Sequence, residues 1–210
     1  MKYRLLTLLI IAVAGQCSIA ARTAADIMAK APRSVLPLLS YDTRLDMIDY
    51  FNSGMTTASA NVMEGKARIT AMADNEVAFE TSSASLYQIA LLPAGSDTIV
   101  AVVRTIMTPA PDSDVSFYTT AWQPLDNPKY FVEASIESWL TRDGMRRRYD
   151  IEDKVPFIIA SYSYDPESAT LTATQAFERY LSTEDFSAIK PFVKDRIIYK
   201  WNGKRFKIVK

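Results

Sequence analysis

The sequence predicts an α+β fold: antiparallel meander sheets packed with N-terminal helices and a short C-terminal helix, ending in a type I′ hairpin. Three observations predict it. Apolar residues recur every three to four positions before residue 53, and from Lys66 the period switches to two. The strand-like runs are joined by connections too short for parallel crossovers. Near the end, Asn202-Gly203 between two apolar runs is a strong short-range hairpin signal.

Taken in order, the chain opens on Lys2 and Arg4, followed by an apolar run, Leu5 to Ala14, too short to span a bilayer. With small residues at Ser18 and Ala20, this reads as a secretory signal peptide over residues 1–20, leaving one α+β domain over 21–210. Cys17 offers a second outcome, acylation as an outer-membrane lipoprotein, although Gln16 stands where that signal normally has a small residue. If residues 1–20 are removed, the mature chain has no cysteine, hence no disulfide and no thiolate nucleophile. No later apolar stretch reaches the roughly 18 residues of a membrane helix. The expected location is the periplasm or the exterior.

Thr23 is positioned to cap a first short helix that Pro32 ends, and Asp42 or Thr43 to cap the next. Leu45, Ile48 and Phe51 or Asn52 would form its buried stripe, with Gly54 as C-cap. From Lys66, Ala67, Ile69, Ala71 and Ala73 alternate with Arg68, Thr70 and Met72; Asp74-Asn75 turns the chain into Val77 and Phe79. Ser85–Leu92, Thr98–Met107 and Val115–Trp122 continue the meander. Residues 127–141 admit either helix or strand. Val155–Tyr164 and Ala169–Thr174 read as a hairpin, and Thr183 starts a short helix that ends near Pro191. Counting outward from Asn202-Gly203 pairs Trp201 with Lys204 and Tyr199 with Phe206 on a buried face, and Lys200 with Arg205 on a wet one.

Composition removes several chemistries. The 210 residues are 49% apolar and 23% charged, too apolar for a disordered chain. Lys and Arg number 24 against 24 Asp and Glu, without the excess of a dedicated nucleic-acid binder. Losing residues 1–20 removes two of the basic side chains and none of the acidic ones. Histidine is absent, which excludes Ser-His-Asp and Cys-His nucleophilic sites and the usual zinc sites. The glycines form no phosphate cradle. No cofactor or metal is expected; paired carboxylates remain open.

Asp42, Asp46 and Asp49 fall roughly along one helix face, as an acid/base or cation site would require; a solvated face compensated by Arg44 is the ordinary alternative. Arg146-Arg147-Arg148, after the turn signal Asp143-Gly144, offers an anion site that Asp143, Asp150, Glu152 and Asp153 would blunt. A cleaner basic face comes from Arg196, Lys200, Arg205 and Lys207 on the last hairpin, although lysine on a terminal strand also guards against edge-to-edge association. Tyr162 and Tyr164 share a strand face, either as core or as a platform for sugar rings.

Arg44-Leu45-Asp46-Met47-Ile48-Asp49-Tyr50, Val155-Pro156-Phe157 and Tyr199-Lys200-Trp201-Asn202-Gly203-Lys204-Arg205-Phe206 occur in an order that resembles a family of secreted or periplasmic Bacteroidetes proteins classed as a domain of unknown function. These are packing and turn motifs. The resemblance implies an exported single-domain protein and transfers no catalytic residue. The expected role is a non-enzymatic binding or accessory domain for an envelope protein or glycan. The alternatives are a His-free hydrolase or lyase using carboxylates such as Asp46 and Asp49, and a structural assembly subunit.

Overall fold

The structure, a computed structural model, describes residues 22–209; the expected signal segment and Cys17 lie outside the described residues. Thr23 opens α1 (Ala24–Ala29) with a reciprocal cap: its Oγ1 accepts the Asp26 N–H at 3.1 Å, and Asp26 Oδ2 accepts the Thr23 N–H at 3.0 Å. α2 (Tyr41–Asn52) is capped by Ser40, whose Oγ accepts the Thr43 N–H at 3.0 Å. Asp42 and Thr43, the expected caps, instead occupy its first turn. The cap at its other end is Ser53, and Gly54 follows in the left-handed region at φ +67°.

The buried face of α2 is rotated from the expected stripe. Arg44 and Met47 are buried and Ile48 and Phe51 pack partly, while Leu45 is 37% exposed. The cause is Arg44. Its guanidinium donates to the Met28 carbonyl in the last turn of α1, to the Ala31 carbonyl just beyond that helix and to the Ser40 carbonyl. Arg44 thus ties the turn that leaves α1 to the start of α2, and an arginine held inward there places Leu45 outward.

β1 (Ser59–Ala60), β2 (Lys66–Ala73), β3 (Glu76–Ser82), β4 (Ser85–Ala94), β5 (Asp97–Ile106) and β6 (Asp112–Thr119) pair antiparallel in chain order. β7 (Ala160–Asp165), β8 (Thr170–Gln175), β9 (Arg196–Trp201) and β10 (Phe206–Ile208) form a second antiparallel sheet in the same manner. Between the sheets in sequence come α3 (Asn127–Tyr130), α4 (Ile136–Trp139), α5 (Arg142–Met145) and α6 (Arg148–Lys154), with α7 (Thr183–Ile189) before β9. The α+β meander expectation is met.

The larger sheet is the middle layer. Val77, Phe79, Ile89 and Val100 on one face pack on Ile27, Met28 and Met47 of the N-terminal helices. The other face carries Leu92, Ala101, Val103 and Phe117, which meet Tyr162, Leu171, Ile197 and Tyr199 of the smaller sheet. Phe131 and Trp139 are part of the same core. Leu140, Ile151, Val155, Phe177, Ile189 and Val193 make a third cluster from the helical segments. Period-two alternation therefore gives the larger sheet two buried faces and the smaller sheet one.

Local departures have local causes. A bulge at Thr70, between Ile69↔Phe79 and Ala71↔Ala78, reverses the alternation in β2, so Met72 packs inward in place of Ala71 and Ala73. The stretch 127–141 is neither a single helix nor a strand, but two one-turn helices around an extended link. Val155 ends α6, and the expected strand begins only at Ala160. Gly144 lies within α5, where a Cβ would stand 2.2 Å from the Phe192 carbonyl oxygen.

The last hairpin is shifted by two residues. Trp201 pairs with Phe206, Lys200 with Lys207 and Tyr199 with Ile208. Asn202 Oδ1 accepts the Lys204 and Arg205 N–H groups at 3.0 and 2.9 Å, and positive φ falls on Gly203 but not on Asn202. The type I′ expectation, which requires both central residues of an Asn-Gly turn at positive φ, is corrected. A shift of two leaves every side chain on its face, so Tyr199, Trp201 and Phe206 remain buried.

The free edge of β7 is sealed by side chains of the larger sheet. Gln88 accepts the Tyr164 N–H at 2.9 Å and donates to the Tyr164 carbonyl at 3.1 Å and to Glu76 Oε1 at 3.2 Å. Ser113 Oγ accepts the Tyr162 N–H at 2.9 Å. These bonds join the two sheets and remove a template for strand addition.

Candidate functional site

The outer face of the smaller sheet is built by strand register. Ser161, Thr174 and Arg196 stand side by side across β7, β8 and β9. Ser163, Thr172 and Ile198 form the next row, and Asp165, Thr170, Lys200 and Lys207 the third, which reaches β10. Directly opposed residues share a face, and i, i+2 neighbours repeat about every 6.6 Å. The result is a face of hydroxyl groups with three cations along one side, the Ile198 side chain between Arg196 and Lys200, and the Asp165 carboxylate on the far strand. Arg196, Lys200 and Lys207 are all exposed.

These cations form no ion pair among the described residues, and the one carboxylate in their rows, Asp165, stands two strands from Lys200. Among the described residues, ion pairs form at Arg68–Glu80, Arg104–Asp114, Lys129–Asp126, Arg146–Asp143, Arg148–Glu137/Glu152 and Lys154–Asp185, and none includes Arg196, Lys200 or Lys207. Lys200 and Lys207 face each other directly, an arrangement that costs stability unless screened. Edge protection accounts for Lys207 on β10, the edge strand. It does not account for Lys200, which is flanked by Thr170 of β8 and Lys207 of β10; Arg196 precedes the part of β9 that β10 covers and is paired on the β8 side. Arg205 lies in the turn beyond this face, half-buried, with its Nε enclosed and without a partner. The expected Lys200/Arg205 pair is thus replaced by Lys200/Lys207.

The other sequence candidates separate clearly. Asp42, Asp46 and Asp49 are exposed on α2, and the 520 Å³ cleft beside that helix is lined by residues such as Met47, Tyr50, Phe51 and Ile69, without any of the three. The arginine run is internally matched: Arg146 pairs with Asp143 at 3.0 Å, and Arg148 with Glu137 at 2.9 Å and Glu152 at 2.6 Å. Arg147 stacks on Phe192 at 4.6 Å. Tyr162 and Tyr164 are core residues; burial pushes the Tyr164 phenol up to about 12 and the Tyr162 phenol up as well.

Sequence reasoning missed the hydroxyl rows. Ser161, Ser163, Thr170, Thr172 and Thr174 repeat with period two in the chain, but only the register aligns them with the cations.

The family model described as "Protein of unknown function (DUF3256)" matches residues 16–206. A solved structure, a domain of an uncharacterized protein from Porphyromonas gingivalis W83, is similar with a TM-score of 0.74 at 23% identity, over 88% of this chain and 96% of that one. At that identity the likeness shows the fold alone. No curated protein matches the sequence. Among the described residues, no helix is long and apolar enough to cross a membrane.

Proposed function

The chain belongs to this family of proteins of unknown function, DUF3256, and on that premise we propose that it is an exported, non-enzymatic envelope domain that binds an acidic glycan on the outer face of its smaller sheet. The observation that carries the reading is the exposed Lys200 flanked by paired strands on both sides, with Arg196 on the same face, neither in an ion pair among the described residues and both in register with threonine hydroxyls of β8. Cations meet the carboxylates or phosphates of such a polymer, and hydroxyls exchange hydrogen bonds with its sugars. Export is supported by Lys2 and Arg4 before the apolar run and the small residues Ser18 and Ala20. A periplasmic or outer-surface location in a Bacteroidetes cell fits that segment and the source of the structural neighbour.

Binding of the purified protein to polygalacturonate, with neutral dextran as the control, tests this reading. The account expects binding to the acidic polymer alone, weakened about tenfold or more by Lys200→Glu with Lys207→Glu, as loss of about 1.4 kcal/mol produces. Raising the salt from 50 to 200 mM should weaken it too. Equal affinity for dextran, or unchanged affinity in the double variant, overturns it.

A further inference from the structure

At β7 the open face of the smaller sheet runs into a cleft. Alternation puts Ala78, Leu86, Gln88, Val103 and Thr105 on the face of the larger sheet that carries Ala90 and Leu92 in the core between the sheets. β7 is seated on that face along its edge, through the Gln88 and Ser113 side chains. In the corner between them lies a cleft of about 330 Å³. Ala78, Leu86 and Val103 line it from the larger sheet, Met107 and Pro111 from the β5–β6 loop, and Ser161 and Ser163 from β7.

Those two serines also open the first two rows of the outer face. Ser161 leads across Thr174 to Arg196, and Ser163 across Thr172 to Ile198. Neighbouring strands stand about 4.8 Å apart, so two steps put Arg196 about 10 Å from the cleft rim. The cleft and the basic face are therefore one continuous surface, cationic at β9, hydroxylated across β8 and apolar beyond β7.

The interior of the cleft suits an apolar occupant. No charged side chain lines it among the described residues. The two polar side chains of its floor are already engaged: Gln88 with the Tyr164 backbone and Glu76, and Thr105 Oγ1 with Ser113 Oγ at 2.7 Å. Ala78 and Leu86 are half-buried and Met107 is 37% exposed, so aliphatic wall is still in contact with water. Covering such a wall with hydrocarbon is favourable. The volume is at the small end for ligand pockets, the size of a substituent rather than of a whole saccharide.

We propose that the cleft receives an aliphatic acyl or alkyl substituent of the acidic glycan, so that the full ligand is an amphiphilic saccharide with its anion at Arg196 and Lys200 and its chain in the corner. This rests on the glycan-binding reading of the sheet face, and the test separates the two. The protein is titrated calorimetrically with octyl glucuronide, methyl glucuronide and octyl glucoside below their micellar concentrations, beside polygalacturonate. Octyl glucuronide is expected to bind about tenfold or more tighter than methyl glucuronide, because each methylene taken from water is worth up to about fourfold. Leu86→Gln and Met107→Gln should each remove several-fold of that gain and leave polygalacturonate affinity unchanged, which also shows that the variants are folded. Equal affinity for the octyl and methyl glucuronides while polygalacturonate binds overturns the proposal and leaves the reading of the sheet face standing. Equal affinity for octyl glucoside and octyl glucuronide, or failure of every uronate to bind, overturns both. A dimer that Leu86→Gln dissociates in sedimentation assigns the cleft to a second copy of the chain and overturns the proposal as well.

Discussion

At the scale of single residues, two buried charged side chains show what sequence patterning conceals. Arg44 is 6% exposed and donates to three backbone carbonyls. In a sequence it reads as the polar neighbour of Leu45, because the carbonyls of the turn that leaves α1 carry no residue-level sign. Arg44→Met should remove those donors and cost about 2–4 kcal/mol. A thermal melt would show this as a fall of about 4–16 °C, given roughly 2–4 °C per kcal/mol in a domain of this size. Glu76, 5% exposed and bonded to Gln88, has its pKa raised by burial. A raised carboxyl pKa means that the folded state favours the protonated form. Its contribution to stability is full below the ordinary value of 4.5 and is lost as pH rises through the folded value. Glu76→Gln should therefore raise Tm at pH 7 by about 2–4 °C, the effect of ~1 kcal/mol, and flatten the fall of Tm above pH 4.5. An unchanged pH profile would show that Glu76 does not carry the dependence.

Among the elements, periodicity was a good guide wherever one face meets one core. The meander from Lys66 to Thr119 and the buried Tyr199/Phe206 side of the last hairpin were legible for that reason. Register was less so. The bulge at Thr70 and the Asn202 turn depend on backbone hydrogen bonds that residue types only loosely dictate. Gly144 is an instructive miss. As Asp143-Gly144 it looks like a turn, yet its need for glycine comes from the Phe192 carbonyl, 48 positions away in the sequence. Gly144→Ala should force α5 away from that carbonyl, costing about 1–3 kcal/mol. Amide exchange should quicken at Thr141 and Lys194, whose N–H groups bond across this contact to Phe192 and Trp139 at 2.8 and 2.7 Å. Unaltered exchange would mean that the contact relaxes freely.

For the whole molecule, the decisive features are the layer order and the sorting of charge. The α+β class followed from short connections and two periodicities. That the larger sheet would be buried on both faces, leaving only the smaller sheet with an open one, was not legible; it depends on long-range packing between Phe117, Phe131 and Tyr199. The basic residues of the last hairpin were visible as a cluster, and their meaning changed once Lys200 proved to be flanked by strands on both sides, with Arg196 on the same face beside rows of hydroxyls. Asp42, Asp46 and Asp49 stood out in the sequence and are exposed in the fold. The central claim is that the open sheet face is the recognition surface. Its most direct test is an amide shift map of the protein titrated with oligogalacturonate. The account predicts changes concentrated at Arg196, Ile198, Lys200, Lys207 and the facing Thr170, Thr172 and Thr174; changes centred on α2, or none at saturating ligand, would contradict it.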